Sequence, residues 1–513
     1  MAVDRQSATL TVVATDLSAV DADLLAIPVC QDEHVPDGHA VDRAAGGDLA
    51  RAGSTGEFQG KAHEIYLAKV VTPGWRARRI ALVGTGRRRD LGTARARTVA
   101  AAVAIAARER HIARLAYVPE PLTSDPWPTP GWTQAQPFAQ AAAEGLSLGE
   151  YVGGRYKTSD RPQPTVTDVA IVVPGAQPGE IERLRAAAAR GRTLGECSNL
   201  ARELADEPGG TLTPQVFASR AAEIVAGAGL TVEALGPDAM AAMGMGLLLG
   251  VSRGSHEPPR LLVIRHDPAG APSVPVLGLV GKGITFDAGG ISMKPALGME
   301  RMKDDMSGGA AVVCAMRAIG VLNGPIRVIG VIPCAENMPG GGAIKPGDVL
   351  AGATGTTVEV IDTDAEGRLI LADALWFAAR EGATHLVDVA TLTGACQIAL
   401  GKTTSGLMGR PAAWVEHVRD VADRAGDRSW ILPLFEDYRD QLRSEIADLA
   451  NVGGRPAGAI TAGMFLREFA GDLPWAHMDI AGTAWQDEAK PFAPKGPTGV
   501  AVRTLAELAF TRF

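Results

Sequence analysis

Cysteine is scarce in this chain of 513 residues. The five that occur, Cys30, Cys197, Cys314, Cys334 and Cys396, lie far apart and form no C-x-x-C pair. That spacing excludes a disulfide framework or a zinc ribbon and fits a reducing, cytoplasmic setting. No run of about twenty uninterrupted apolar residues exists, so no helix is expected to span a bilayer. The opening Met-Ala-Val-Asp-Arg lacks a basic stretch followed by an apolar one, so no secretory signal is read there. Aromatics make up only 5%, and positive charge is outweighed, giving a net charge of −8. Such a balance exerts no overall pull on nucleic acid or an anionic membrane. One feature runs the other way, the cluster Arg76, Arg78, Arg79, Arg87, Arg88 and Arg89, which is read as a solvated loop rim. Several catalytic signatures are missing too. There is no H-E-x-x-H and no G-x-S-x-G, and a phosphate loop around Gly281-Lys282 fails because positions 276 and 283 are Val276 and Gly283. His266, His385 and His477 fall in or beside strands and are read as structural.

What the chain does have is apolar content, 46%, enough for large cores, and a length that suggests two or three domains. The first part reads as a small α/β domain over 1–160. Thr9–Thr15, Leu24–Val29 and Arg79–Val83 are strands, the last ending in Gly84-Thr85-Gly86, and Ala94–Arg108 is a helix. Pro119–Pro137 is dense in Pro, Trp and Thr and reads as irregular, as does the Pro-rich Ser159–Pro164. A linker over 161–195 contains the strand Asp168–Val173 and much of a helix, Glu180–Leu204.

From 196 to 513 strands and helices alternate. Leu261–Arg265, Val276–Val280, Arg327–Pro333, Thr357–Ile361, Thr384–Val389 and Ala476–Ile480 are strands, with helices over Gly308–Val321 and Leu369–Arg380. Alternation of this kind predicts an α/β fold with a mainly parallel sheet and helices on both faces. Ligands of such sheets bind beyond the carboxyl ends of the strands. There the chain places Lys282, Asp287 and Lys294, then Asp304 and Asp305, then Asp362, Asp364, Glu366 and Arg368. Two like charges 4 Å apart repel by about 4 kcal/mol at an effective dielectric of 20. Several acids gathered together therefore call for a counter-charge. Divalent cations supply it, and two of them can grip both ends of a hydrolysis. Singly, each such Asp is more often a turn residue or helix cap; their joint occurrence carries the reading.

At these residues the chain resembles the leucine (cytosol) aminopeptidase family of metallopeptidases. The matching stretches are VGKGITFDAGGISMKP from Val280, MKDDMSGGAAV from Met302, ENMPGG from Glu336, KPGDVL from Lys345, DTDAEGRLILADAL from Asp362, DVATLTGA from Asp388 and WAHMDIAG from Trp475. The resemblance implies a two-metal exopeptidase. One tightly held cation would be bound by Lys282, Asp287, Asp305 and Glu366, and an exchangeable one by Asp287, Asp364 and Glu366. The metals would be Mn²⁺ or Zn²⁺, with Mg²⁺ an option at the exchangeable site. It further implies that Lys294 stabilises the oxyanion and that Arg368 holds a bicarbonate acting as general base. Met302, Thr391, Leu392 and Gly394 would line the pocket for the first, Leu-like side chain, and the chain would assemble as a homohexamer acting on peptides. The family usually has Asn where this chain has Asp362, which is read as a turn residue. Three other readings stay open: a narrower dipeptidase such as a cysteinylglycine hydrolase, a DNA-binding or regulatory role on the same fold, and a nucleotide-like ligand at the Gly84-Thr85-Gly86 turn.

Overall fold

The computed structural model describes residues 7–33, 35–122, 134–160 and 165–513. Contacts divide the chain into two units, 1–196 with 488–495, and 197–487 with 496–513. The division falls inside the long helix Pro178–Ala205. Parts of the two Pro-rich stretches, residues 123–133 and 161–164, lie outside the described residues.

The first unit holds one six-stranded sheet. Its strands are β1 (Thr9–Val13), β2 (Leu24–Val29), β3 (Ile65–Lys69), β4 (Arg79–Gly84), β5 (Arg114–Tyr117) and β6 (Asp168–Val172). They lie in the order β1-β6-β5-β2-β4-β3, all parallel except the β3–β4 pair. Every residue of β2 is buried, as expected of a central parallel strand with an uninterrupted apolar run. The helix Ala135–Leu148 begins inside the stretch read as irregular. Pro137 sits in its first turn, where a missing N–H costs nothing, so the proline marks a helix start and not a loop. The arginine cluster is matched by acids: Arg76 faces Asp21, Arg78 faces Asp23, Arg88 faces Glu33 and Arg89 faces Asp90. The Gly84 turn is closed by backbone, because a Cβ there would lie 1.9 Å from the Lys61 carbonyl oxygen.

The second unit carries β7 (Thr231–Leu235), β8 (Arg260–His266), β9 (Val276–Gly281), β10 (Gly283–Asp287), β11 (Arg327–Asn337), β12 (Val349–Ala351), β13 (Thr357–Glu359), β14 (His385–Ala390), β15 (Ser405–Arg410), β16 (Ser429–Ile431), β17 (Leu449–Ala450) and β18 (Trp475–Asp479). Its nine-stranded sheet runs β16-β15-β18-β14-β9-β11-β8-β7, with β10 also paired to β11. The centre is parallel, and antiparallel pairs occur toward its edges at β15–β18, β11–β8 and β7–β8. Helices cover both faces. Ile329 and Val331 share a core with Leu369–Leu371 of the helix Glu366–Arg380, while the intervening Gly330 lies against Val312 and Met316 of the helix Ser307–Val321. The period-2 alternation of a strand puts these helices on opposite sides.

Expectations about the second unit need correcting as well. The strand expected over Thr357–Ile361 is shorter and belongs to a separate three-stranded sheet with β12 and β17. Its three residues are too few to span a large sheet, and they pair antiparallel to β12. Conversely, Gly283–Asp287, read as loop, is a strand extending the line of β9 after one residue.

The three histidines have partners within the fold. His266 Nε2 lies 2.8 Å from the Gly324 carbonyl, and His385 Nδ1 lies 3.1 Å from Thr384 Oγ1. His477 Nδ1 lies 2.5 Å from Asp388 Oδ1, while Asp388 Oδ2 accepts from Trp475 Nε1 at 2.6 Å. Burial opposes the charge on His477, but the charge and hydrogen bond of Asp388 outweigh it and raise its pKa. Replacing Asp388 by Ala strands both donors in a dry core. The expected loss is about 3–5 kcal/mol, read as a fall of at least about 5 °C in the melting temperature by scanning calorimetry.

Candidate metal centre

Four segments converge. The β9–β10 junction supplies Lys282, the end of β10 supplies Asp287, the turn before the helix Ser307–Val321 supplies Asp305, and the start of the helix Glu366–Arg380 supplies Glu366. One carboxylate oxygen each of Asp287, Asp364 and Glu366 lie within 4.8 Å of one another. Asp287, Asp305 and Glu366 are buried, and Asp364 is half-buried. Glu366 opens its helix, where the positive end of the helix dipole favours a carboxylate.

Two ammonium groups sit among these acids. Lys282 Nζ lies 2.8 Å from Asp305 Oδ2 and 2.8 Å from Glu366 Oε1. It also donates to the Thr391 carbonyl at 3.0 Å. Lys294 Nζ lies 2.7 Å from Asp287 Oδ2 and 2.5 Å from Asp364 Oδ1. Burial pulls both lysine pKa values down, but the surrounding carboxylates override it and raise them. Gly367 makes room for Lys282, since a Cβ there would lie 2.7 Å from the lysine Cε. Gly289 makes room for Asp364. It has φ +89°, and a Cβ on it would lie 2.7 Å from Asp364 Oδ1.

The acids remain under-compensated. Four carboxylates against two ammonium groups leave two negative charges in a mostly dry site. Burial, followed by repulsion from Asp287, pushes Glu366 up to about 7 and raises Asp364. Burial, opposed by Lys282 and reinforced by Asp287, holds Asp305 well above the usual carboxylate range. Asp305 Oδ2 and Asp364 Oδ1 have ion-pair partners but no well-directed hydrogen bond. An oxygen-rich set of this charge fits divalent cations.

Arg368 is buried beside them. Its Nη1 donates to the Asn451 carbonyl at 2.8 Å, and its Nε has no hydrogen-bond partner. Burial lowers its pKa to about 10. A buried guanidinium with a free edge fits a small planar oxyanion. Asn451, at the end of the three-stranded sheet, also fastens the acidic loop. Its Oδ1 accepts from Ile361 and Asp362 N–H at 2.8 and 3.2 Å, and its Nδ2 donates to the Asp362 carbonyl at 2.6 Å. The Asp362 carboxylate accepts from Asp364 N–H at 2.9 Å, the hydrogen bond of a local turn.

Of the pocket residues read from the resemblance, Thr391 and Leu392 are half-buried and Gly394 is exposed after β14. Met302 is half-buried in the turn Met299–Asp304. Thr391 Oγ1 donates to Asp305 Oδ1 at 2.7 Å, joining this loop to the acids. Asp479 was not singled out by sequence reading, yet it organises the loop. Its Oδ1 faces the N–H groups of Leu392 at 3.3 Å and Thr393 at 3.5 Å, and its Oδ2 accepts from Thr393 Oγ1 at 2.7 Å. It lies inside the quoted WAHMDIAG, so the motif was found but not this role.

Acids and ammonium groups gathered in this way on a mainly parallel α/β sheet have the make-up of a divalent-cation site. The chain belongs to the cytosol aminopeptidase family, whose catalytic domain matches residues 199–506 and whose N-terminal domain matches residues 26–160. It is 47% identical to a probable cytosol aminopeptidase of Solibacter usitatus, covering 98% of both chains. A probable cytosol aminopeptidase of Geobacter sulfurreducens is 42% identical, over 97% of this chain and 98% of that one. Among solved structures, a tomato leucine aminopeptidase variant superposes with a TM-score of 0.88 at 30% identity, covering 99% of this chain and 97% of that one. The bottromycin maturation enzyme BotP in complex with Mn superposes with a TM-score of 0.81 at 37% identity, covering 95% of this chain and 100% of that one. The protein is a metal-dependent aminopeptidase.

The pKa directions give a test with a definite sign. A carboxyl raised in the fold costs stability as pH climbs from its usual range, about 4, to its folded value, about 7 for Glu366; above that the penalty is complete. A divalent cation removes the penalty but must displace protons below it. Mn²⁺ added to chelator-treated protein is therefore expected to raise the melting temperature more at about pH 7.5 than at about pH 6; equal rises would contradict this. Asp362→Asn keeps the turn acceptor, so kcat/KM is expected to stay within about threefold of wild type, and complete loss would assign the carboxylate a specific role.

Proposed function

We propose that the chain removes N-terminal residues, Leu-like ones preferred, from peptides, with two divalent cations held by Lys282, Asp287, Asp305, Asp364 and Glu366. The observation that carries this reading is the convergence of Asp287, Asp364 and Glu366 within 4.8 Å, with Asp305 making four carboxylates against the two lysines, an excess of two negative charges. Asp287 and Glu366 would serve both cations, Asp305 and Lys282 the tighter, and Asp364 the exchangeable one; Lys282 would ligate as the neutral amine, its proton being displaced by the cation. Mn²⁺ or Zn²⁺ fits the set, with Mg²⁺ an alternative at the exchangeable site. When bound, such a pair supplies Lewis acidity and an acidified water.

This chain's own groups do the rest. Lys294 is half-buried and already aimed between two acids. Its N–H groups stabilise the negative charge that develops on the scissile carbonyl oxygen, the kind of preorganised contribution that dominates many rate enhancements. Arg368, with its unpartnered Nε, would hold a bicarbonate, which would supply general-base chemistry there. Met302, Thr391, Leu392 and Gly394 receive the first side chain. An apolar pocket of this sort separates similar aliphatic residues only weakly. The family resemblance further supports a homohexamer in the cytoplasm, to be checked by light scattering.

Chelation followed by metal add-back, with hydrolysis of leucine p-nitroanilide as readout, tests the core of the reading. Activity is expected to vanish on stripping and to return with Mn²⁺ or Zn²⁺; activity indifferent to prolonged chelation would overturn it. Lys294→Ala is expected to lower kcat by about 10²–10³ with a smaller change in KM. A panel of aminoacyl amides and dipeptides separates a broad aminopeptidase from a cysteinylglycine hydrolase.

A further inference from the structure

Asn337 is the last residue of β11 and is buried. Parallel pairing of β10 with β11 sets it directly opposite Asp287. Its Nδ2 donates to Asp287 Oδ1 at 2.9 Å and to the Thr363 carbonyl at 3.0 Å, and reaches Glu366 Oε2 at 3.3 Å. One amide nitrogen thus touches both carboxylates assigned to the two cations together, and the backbone of the loop between them. The amide's orientation follows from its neighbours. Ionised carboxylates and a carbonyl only accept, so the NH₂ must face them, while Oδ1 turns toward Gly290. The backbone carbonyl of Asn337 accepts from Ala288 N–H at 2.9 Å, fixing the start of the loop that carries Lys294.

An uncharged donor suits this position. A lysine or arginine would compete with the cations, and an acid would add a further like charge. An amide holds two carboxylate rotamers while leaving their charge available. From this geometry we infer that Asn337 is a positioning residue that fixes Asp287 and Glu366 in the orientation that receives the cation pair. The inference rests on the reading of those two acids as shared ligands. Partners that orient ligands in this way contribute about 10- to 100-fold to metal affinity.

The test uses full-length protein stripped by chelator and titrated with Mn²⁺ alone by calorimetry, alongside kinetics at saturating Mn²⁺. Asn337→Ala is expected to weaken Mn²⁺ binding by about 10- to 100-fold and to lower kcat, with KM for leucine p-nitroanilide nearly unchanged. Asn337→Leu fills a similar volume without a donor or a charge and guards against a cavity-induced misfolding of the first variant. Its hold on Mn²⁺ is likewise expected to loosen by at least about tenfold. Wild-type binding combined with unchanged binding in either folded variant overturns the inference alone. Failure of the wild-type protein to bind Mn²⁺ stoichiometrically overturns the cation reading and this inference with it.

Discussion

Bringing four carboxylates into one poorly solvated site is the constraint around which the second unit is organised. Each pair of like charges at such distances costs several kcal/mol, and burial adds a penalty of its own. Lys282 and Lys294 answer part of it, each lying between two acids. The remaining deficit shows in the raised pKa values of Asp305, Asp364 and Glu366. A site left in electrostatic debt attracts a hard divalent cation more strongly than one already neutralised by arginines.

Holding such a group together requires a scaffold that cannot relax away from it. The central parallel strands end at the site, and their flanks are buried on both sides. Side-chain hydrogen bonds fasten the surrounding loops. Asn451 ties the Ile361–Asp362 backbone and the Arg368 guanidinium to the end of β17. Thr363 exchanges hydrogen bonds with Ser292, which tie the loop of Asp364 to the loop of Lys294. Asp479 fastens the Leu392–Thr393 backbone from the end of β18. These hydrogen bonds and the strand register hold the loops that carry the acids, while Lys282 and Lys294 lie between the acids themselves.

Much of this can be read from the chain. Apolar runs bounded by turn residues locate β2, β9 and β14 to within a residue or two, because buried parallel strands have a nearly continuous apolar signal. The acids at 287, 305, 364 and 366 can be picked out as a group because they follow or precede such elements. Their roles come from the family resemblance and not from spacing. What stays hidden has local reasons. Gly283–Asp287 begins with glycine one residue after β9, so it looks like a turn. Pro333 reads as the end of β11, although the strand continues to Asn337, and that extension is what delivers the amide to the acids. Pro137 looks like a breaker when it is a first-turn residue. Short strands such as β12 and β13 carry too few residues for any period to show. The supporting side chains Asn337, Asn451 and Asp479 are single polar residues, and only the fold reveals what they hold.

The site gathers side chains from segments far apart in the chain. Lys282 lies between β9 and β10, Asp287 ends β10, Glu366 opens the helix Glu366–Arg380, and Asp479 ends β18. The contacts that join them, such as Lys282 with Glu366 and Asn337 with Asp287, link residues distant in sequence. They form only once the central sheet has condensed. Folding of the catalytic unit and assembly of its site are therefore one event, and an unfolded chain carries the acids without their geometry.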